Sequence, residues 1–218
     1  MERPPIRFPR RAMAIWLALW LGGFAALAAG NAALYRHVIQ LRESDPRTYL
    51  AEADRLMKSG NLAGALAQVS SAIKRAPVDP LPRQVHGHVL FQFKQWEGAV
   101  IAYRAALDLG SRDQGAMTNL LWSLIQLKRY DEAIRVYGVP WIEQGNRNPA
   151  IVRNVAEAFV RASNWEEGLP YIESALDANP GDLYLMTQLE RAYRNTGDTQ
   201  RAEQLHERIG ELQHTPSP

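Results

Sequence analysis

The sequence predicts an all-α fold: about five stacked helical hairpins, preceded by one membrane-spanning helix. Three observations carry this. An Asp or Asn recurs at Asp45, Asp79, Asp113, Asn148 and Asp182, at intervals of 34, 34, 35 and 34 residues. Between these marks apolar residues fall three and four apart, as on an amphipathic helix, and no window alternates as a strand would. Ahead of them, residues 12–35 form a run of 24 residues without a charge. A period of this length means a helical array, in which each unit buries its apolar face against its neighbours.

Residues 1–11 hold Arg3, Arg7, Arg10 and Arg11 against Glu2 alone, and the rest of the chain has 21 Lys+Arg against 22 Asp+Glu. The pI near 9.0 therefore comes from a basic leader on a near-neutral body. That balance gives no support to a nucleic-acid surface. With no cysteine in 218 residues, disulfide frameworks, thiolate metal sites and cysteine nucleophiles are excluded. As a helix, residues 12–35 would span about 36 Å, enough for a hydrocarbon core of roughly 30 Å. Trp16, Trp20 and Tyr35 lie toward its interfaces, with Trp20 the deepest. Four arginines precede it, while Arg36, Arg42 and Arg47 follow, interleaved with Glu43 and Asp45. This bias places residues 1–11 in the cytoplasm, residues 36–45 as a juxtamembrane linker, and the remainder on the periplasmic side of a bacterial inner membrane. The alternative is a cleavable signal peptide, for which Ala26-Leu27-Ala28 is a suitable small-residue site. The apolar run continues through Leu34, as a retained anchor requires. Ala14, Ala18, Gly22, Ala26 and Gly30 recur every fourth place. Such a stripe would let a second membrane helix approach closely, although half of this segment is Ala or Gly and composition alone also yields it.

Each interval repeats an internal pattern. The marking Asp or Asn is helix-start chemistry: its side chain caps free N–H groups, and Pro46, Pro80 and Pro149 follow at the first helical position. A first helix ends in a polar turn at Ser59-Gly60-Asn61, Lys94-Gln95, Lys128-Arg129, Ser163-Asn164 and Thr196-Gly197-Asp198. A large residue follows at Leu62, Trp96, Tyr130 and Trp165, with Thr199 as the exception. Three residues later a small one, at Ala65, Ala99, Ala133, Gly168 and Ala202, lets the two helices of a hairpin approach. Ala72, Ala106 and Ala175 recur later in the second helix. Leu56, Leu90, Leu124, Phe159 and Tyr193 occupy matching places in the first helices.

On these residues the chain resembles tetratricopeptide-repeat (TPR) proteins. The second repeat carries the likeness best, in Gly87, Leu90, Trp96, Ala99, Tyr103 and Ala106-Leu107. The first adds Gly60, Ala65, Ala72 and Pro77, and the fourth adds Trp165, Ala175 and Pro180. The resemblance covers residues 46–213, with repeats starting near 46, 80, 114, 149 and 183, and leaves 214–218 as a tail. It implies a right-handed superhelix whose concave face is lined mainly by the first helix of each pair, and a general role in binding peptides and proteins. Two departures stand out. Pro140 replaces the small alanine of the third repeat's second helix. A proline there costs about 3 kcal/mol, so a break or kink around residues 138–140 is expected. Either it adjusts superhelix curvature, or the irregular stretch 139–147, with Trp141, forms a contact surface. Pro170 lies nearer its helix start and should disturb less. The fifth unit carries Glu190, Thr199 and a polar second helix, as the solubilising cap of an array requires.

Catalytic constellations are scarce. His86 and His88 lie two apart on a helix and point to different faces, so they make a poor metal pair. There is no glycine-rich phosphate loop or nucleophile elbow. No enzyme activity, cofactor or metal is expected. Projected onto the concave face, the first helices present His88, Phe91, Trp122, Gln126, Arg153, Glu157, Arg161, Tyr184, Arg191 and Arg194. Aromatic anchors beside arginines are hot-spot residue types. Four arginines against Glu157 make the C-terminal half electropositive, predicting an extended or helical protein partner with acidic or C-terminal carboxylate groups. The alternative is solvated helix charge with Trp122 in the core. The carboxylate clamp of chaperone-binding TPR proteins is not matched in the first repeat, where Leu50 and Asp54 occupy clamp places. The expected role is a membrane-anchored, non-enzymatic scaffold or assembly factor. An exported soluble binding module, or an accessory subunit of a membrane-associated enzyme complex, is the alternative.

Overall fold

The computed structural model describes Asn31 and residues 45–214. The leader at 1–11, the proposed anchor at 12–35 with its small-residue stripe at Ala14, Ala18, Gly22, Ala26 and Gly30, the linker at 36–45 and the tail at 214–218 lie outside the described residues, apart from Asn31, Asp45 and His214. Among the described residues no helix is long and apolar enough to cross a membrane. They form ten α-helices, one π-helical segment and no strand. In chain order these are α1 (Pro46–Lys58), α2 (Leu62–Arg75), α3 (Pro80–Gln92), α4 (Trp96–Asp108) and α5 (Gln114–Gln126). The π segment (Glu132–Gly138) runs into α6 (Val139–Glu143). Then come α7 (Pro149–Ala162), α8 (Trp165–Ala178), α9 (Leu183–Thr196) and α10 (Thr199–His214).

Every first helix starts on a side-chain cap. Asp45 accepts from the Arg47 N–H at 2.9 Å, Asp79 from Leu81 at 2.9 Å, and Asp113 from Ala116 at 2.6 Å. Asn148 accepts from Ala150 at 2.9 Å and Asp182 from Leu185 at 3.1 Å. Each bond satisfies one of the N–H groups a helix start leaves free. The turn into the second helix is equally regular. Gly60, Lys94, Lys128, Ser163 and Gly197 all have positive φ, between 56° and 84°, and stand 34 or 35 residues apart. One left-handed residue thus reverses the chain in each hairpin, whether or not it is glycine.

Ala65, Ala99, Ala133 and Ala202 are buried where the paired helices cross. At Gly168 a Cβ would stand 2.7 Å from the Phe159 Cβ, so only hydrogen fits. The core runs along the array as three linked clusters. One joins α1–α3 around Ala53 and Val69. The largest joins α3 to α7 around Tyr103, Leu120, Leu124 and Phe159. The third joins α7 to α10 around Ile172, Leu185 and Leu189.

The third repeat departs from the expected break. The chain stays helical through Glu143 because it widens into a π turn, in which the Val139 N–H reaches back five residues to the Ile134 carbonyl. The wider turn moves the close helix–helix contact to Gly138, which is buried against Val155. A Cβ there would also stand 2.7 Å from the Ala133 carbonyl oxygen. Pro140 is half-buried beside that contact and borders a cleft shared with Pro170. Trp141 is only 4% exposed, so it belongs to the core and not to a contact surface. Pro170 sits inside α8, which continues uninterrupted.

The first helices α1, α3, α5 and α7 pack side by side, whereas the second helices of successive repeats stand farther apart. This asymmetry curves the array with the first helices on its inner wall. Long ion pairs span the outer gap: Arg135 reaches Glu167 at 3.1 Å, Arg201 reaches Glu173 at 3.2 Å, and Arg104 pairs with Glu132.

Candidate partner-binding groove

The N-terminal half of the inner wall is open and polar. A hollow of about 520 Å³ lies between α1 and α3, bordered by Asp54, Met57, Lys58, His88 and Gln92. A second, of about 310 Å³, lies between α3 and α5, bordered by Gln84, His88, Tyr103 and Asn119. His88 is common to both. Lys58 is held by Asp54 at 2.6 Å. Gln84 donates to the Ser111 hydroxyl, tying α3 to the loop before α5. Asn119 donates to the Tyr103 hydroxyl at 3.1 Å, and burial of Tyr103 pushes its pKa well above the usual tyrosine value. Phe91 meets Trp96 edge-on with ring centroids 5.4 Å apart. Trp122 and Gln126 are half-buried on α5, and Trp122 also packs against the central core. It therefore has one side on each of the two expected environments.

The C-terminal half is built differently from the sequence expectation. Arg153 pairs with Asp182 at 2.5 Å, Arg161 with Glu157 at 2.6 Å, and Arg194 with Glu190 at 2.8 Å. Setting four arginines against Glu157 alone left out Asp182 and Glu190, which reach back from the next helix start or the preceding helical turn. The expected electropositive surface is largely neutralised. Arg191 is the exception. It donates to no carboxylate among the described residues; its guanidinium lies 5.5 Å from the centroid of the Trp165 ring and donates to Gln188 at 3.4 Å. Tyr184 donates to Glu157 at 2.6 Å. Burial first, and then that carboxylate, push its pKa up to about 12. Burial opposes the charge on Asp182, yet the Leu185 N–H and the Arg153 guanidinium together hold its pKa below the ordinary value.

The nine proposed groove residues thus fall into two groups. His88, Phe91, Trp122 and Gln126 belong to the N-terminal half, where His88 alone borders both hollows, and Arg153, Arg161, Tyr184, Arg191 and Arg194 belong to the charged half. Residues that knit the wall together escaped the sequence reading. Asn154 donates to the Thr118 carbonyl at 2.9 Å, and Asn148 to Gln114 at 2.7 Å, one repeat away. Only the 34-residue beat itself could have pointed to the second. Among the described residues no group of three metal-ligating side chains converges. His86 is half-buried, and burial lowers its pKa.

A family model described as Tetratricopeptide repeat matches residues 92–214, more than half of the chain. The chain belongs to the tetratricopeptide-repeat family. No curated protein matches the sequence. Among solved structures, MamA from Desulfovibrio magneticus RS-1 superposes with a TM-score of 0.67 at 17% identity, over 79% of this chain and 97% of that one. YrrB, described as a TPR protein with an unusual peptide-binding site, gives 0.69 at 16% identity, over 82% and 92%. A further MamA structure gives 0.69 at 13% identity, over 79% and 97%. At identities this low, the superpositions show the TPR fold alone. That fold is generally a non-enzymatic protein-interaction module, and the matches indicate no enzymatic family.

Proposed function

We propose that this TPR protein is a membrane-anchored scaffold or assembly factor that holds a partner segment along its inner wall. Residues 12–35 anchor it in a bacterial inner membrane, with residues 1–11 cytoplasmic and the repeats periplasmic. The observation that carries the binding reading is the inner wall itself. Open hollows flank His88, Phe91 and Trp122 stand half-buried, and Arg191 is supported by Trp165 without a carboxylate. The partner segment is extended or helical, its apolar groups meeting the aromatic half and one carboxylate meeting Arg191. Peptide binding by YrrB, of the same fold, is consistent with this use of the wall. A membrane tether raises the local concentration of its partner, so modest affinity suffices.

Site-specific photo-crosslinking from residue 126 in cells, compared between wild type and Trp122→Ala/Arg191→Glu, tests the groove. Partner adducts should disappear in the double variant; an unchanged adduct pattern overturns the assignment. Carbonate extraction and protease accessibility in spheroplasts test the anchor and its orientation. Release into the soluble fraction with a mature N-terminus after Ala28 would replace the anchor with a cleaved signal.

A further inference from the structure

The widened turn of the third repeat leaves a cleft on the outer side of the array, away from the inner wall. It has a volume of about 490 Å³, within the range of sites that hold a ligand group. Val139 and Pro140 form one wall, Pro170 and Tyr171 the other, and Phe159 the floor. We propose that this outer cleft is a second docking site, for a partner segment presenting an aromatic or large apolar side chain next to a lysine or arginine.

Three observations select that chemistry. The first is backbone acceptors. Pro140 and Pro170 border the cleft from opposite helices, and neither has an N–H to donate. With Val139 bonded to the Ile134 carbonyl, the next carbonyl in that register, of Arg135, finds no donor at Pro140. The second is charge. Arg135 is held by Glu167 at 3.1 Å, while Glu143 has no ion-pair partner among the described residues. The lining therefore carries two carboxylates against one guanidinium. Both carboxylates lie close enough to raise the pKa of Tyr171, after burial, which contributes most. A wall whose one cation is already paired, beside a carboxylate that is not, favours an incoming ammonium or guanidinium. The third is exposed apolar surface close by in the same helical segment: Val136, one turn before Pro140, is 58% exposed. Pro170 and Tyr171 also border a second hollow of about 320 Å³, whose lining includes Arg147 and no carboxylate. That arrangement sets the polarity of the guest, with its cation at Glu143 and its apolar side chain between the prolines.

The full-length protein in detergent micelles is titrated with fluorescein-labelled seven-residue peptides centred on Arg-Trp-Arg, Glu-Trp-Glu or Arg-Ala-Arg, read by fluorescence anisotropy. The Arg-Trp-Arg peptide should bind saturably with a Kd below about 1 mM, and the other two at least about tenfold more weakly, the cost of losing one good contact. Glu143→Arg should weaken it about tenfold, and Arg191→Glu should leave it unchanged. Both positions are exposed, and matching circular dichroism melts verify that the variants fold. Equal binding of the acidic peptide, no saturation, or a loss in Arg191→Glu without one in Glu143→Arg would overturn the outer site. The inner-wall reading stands apart from that result, since Trp122→Ala/Arg191→Glu tests it separately.

Discussion

Lys94 and Lys128 hold the left-handed backbone that Gly60 and Gly197 hold in the first and last hairpins. For an L-residue that conformation costs roughly 1–2 kcal/mol, partly offset on replacement by the greater freedom of glycine in the unfolded chain. Lys128→Gly should therefore stabilise the protein by about 0.5–1 kcal/mol, seen as a higher urea midpoint at unchanged slope. The opposite holds at Gly87, where a Cβ would stand 2.6 Å from the Tyr103 ring. Gly87→Ala should cost about 1–3 kcal/mol by overpacking, measured the same way. Tyr184 titrates near 12 against an ordinary 10.0. Its raised pKa means that its contribution to stability is complete below pH 10.0 and is lost as pH rises through about 12. Absorbance titration at 295 nm should show its ionisation delayed, and Glu157→Gln should bring it earlier. The small residues Ala65, Ala99 and Gly168 were legible in the sequence because close helix crossings admit few side chains. The uniform turn was not, because Lys94, Lys128 and Ser163 carry none of the glycine signal that marks it.

At the scale of the element, each first helix is specified by its cap, and this was the most legible part of the chain. A short acceptor before a helix start does one job in any context, so its position reads directly from sequence. Asp182 adds a second job, since Arg153 lies 29 residues before it and reaches it only in the folded array. Asp182→Ala should cost about 1–2 kcal/mol, cap and ion pair together. The pH dependence follows from its depressed pKa: this stabilisation is present above the ordinary aspartate value of 3.8 and is lost as pH falls through the lower folded value. An acid-unfolding curve should shift to higher pH in Asp182→Asn, which keeps the cap but loses the charge. The second helix of the third repeat was legible only as a disturbance. Pro140 marks a lost hydrogen bond, but whether a helix breaks, bends or widens depends on what packs beside it. Here Gly138 against Val155 decides for widening.

Across the whole molecule, stability is a sum over neighbours, and the ends matter most. Removing residues 183–218 would uncover Val152, Ala156, Ile172 and Ala175, now covered by α9 and α10. That truncation should aggregate or unfold at lower urea, whereas α10 presents Glu203, Glu207 and Arg208 to solvent, as an end should. The periodicity made the array readable from sequence, because every repeat solves the same packing problem. The chemistry of its inner wall was less readable. Curvature brings Asp182 to Arg153 and Tyr184 to Glu157, pairings that no single helix projection contains.

Those pairings have a consequence for how the inner wall responds to its medium. A guest acid arriving at Arg153, Arg161 or Arg194 meets a guanidinium already occupied by this chain's own carboxylate. It trades one counter-ion for another and gains little net attraction. Of these four arginines, Arg191 alone has no ion-pair partner among the described residues. Affinity should consequently fall with ionic strength about as steeply as a single charge pair requires, and discrimination between guests should rest on shape and on their apolar side chains.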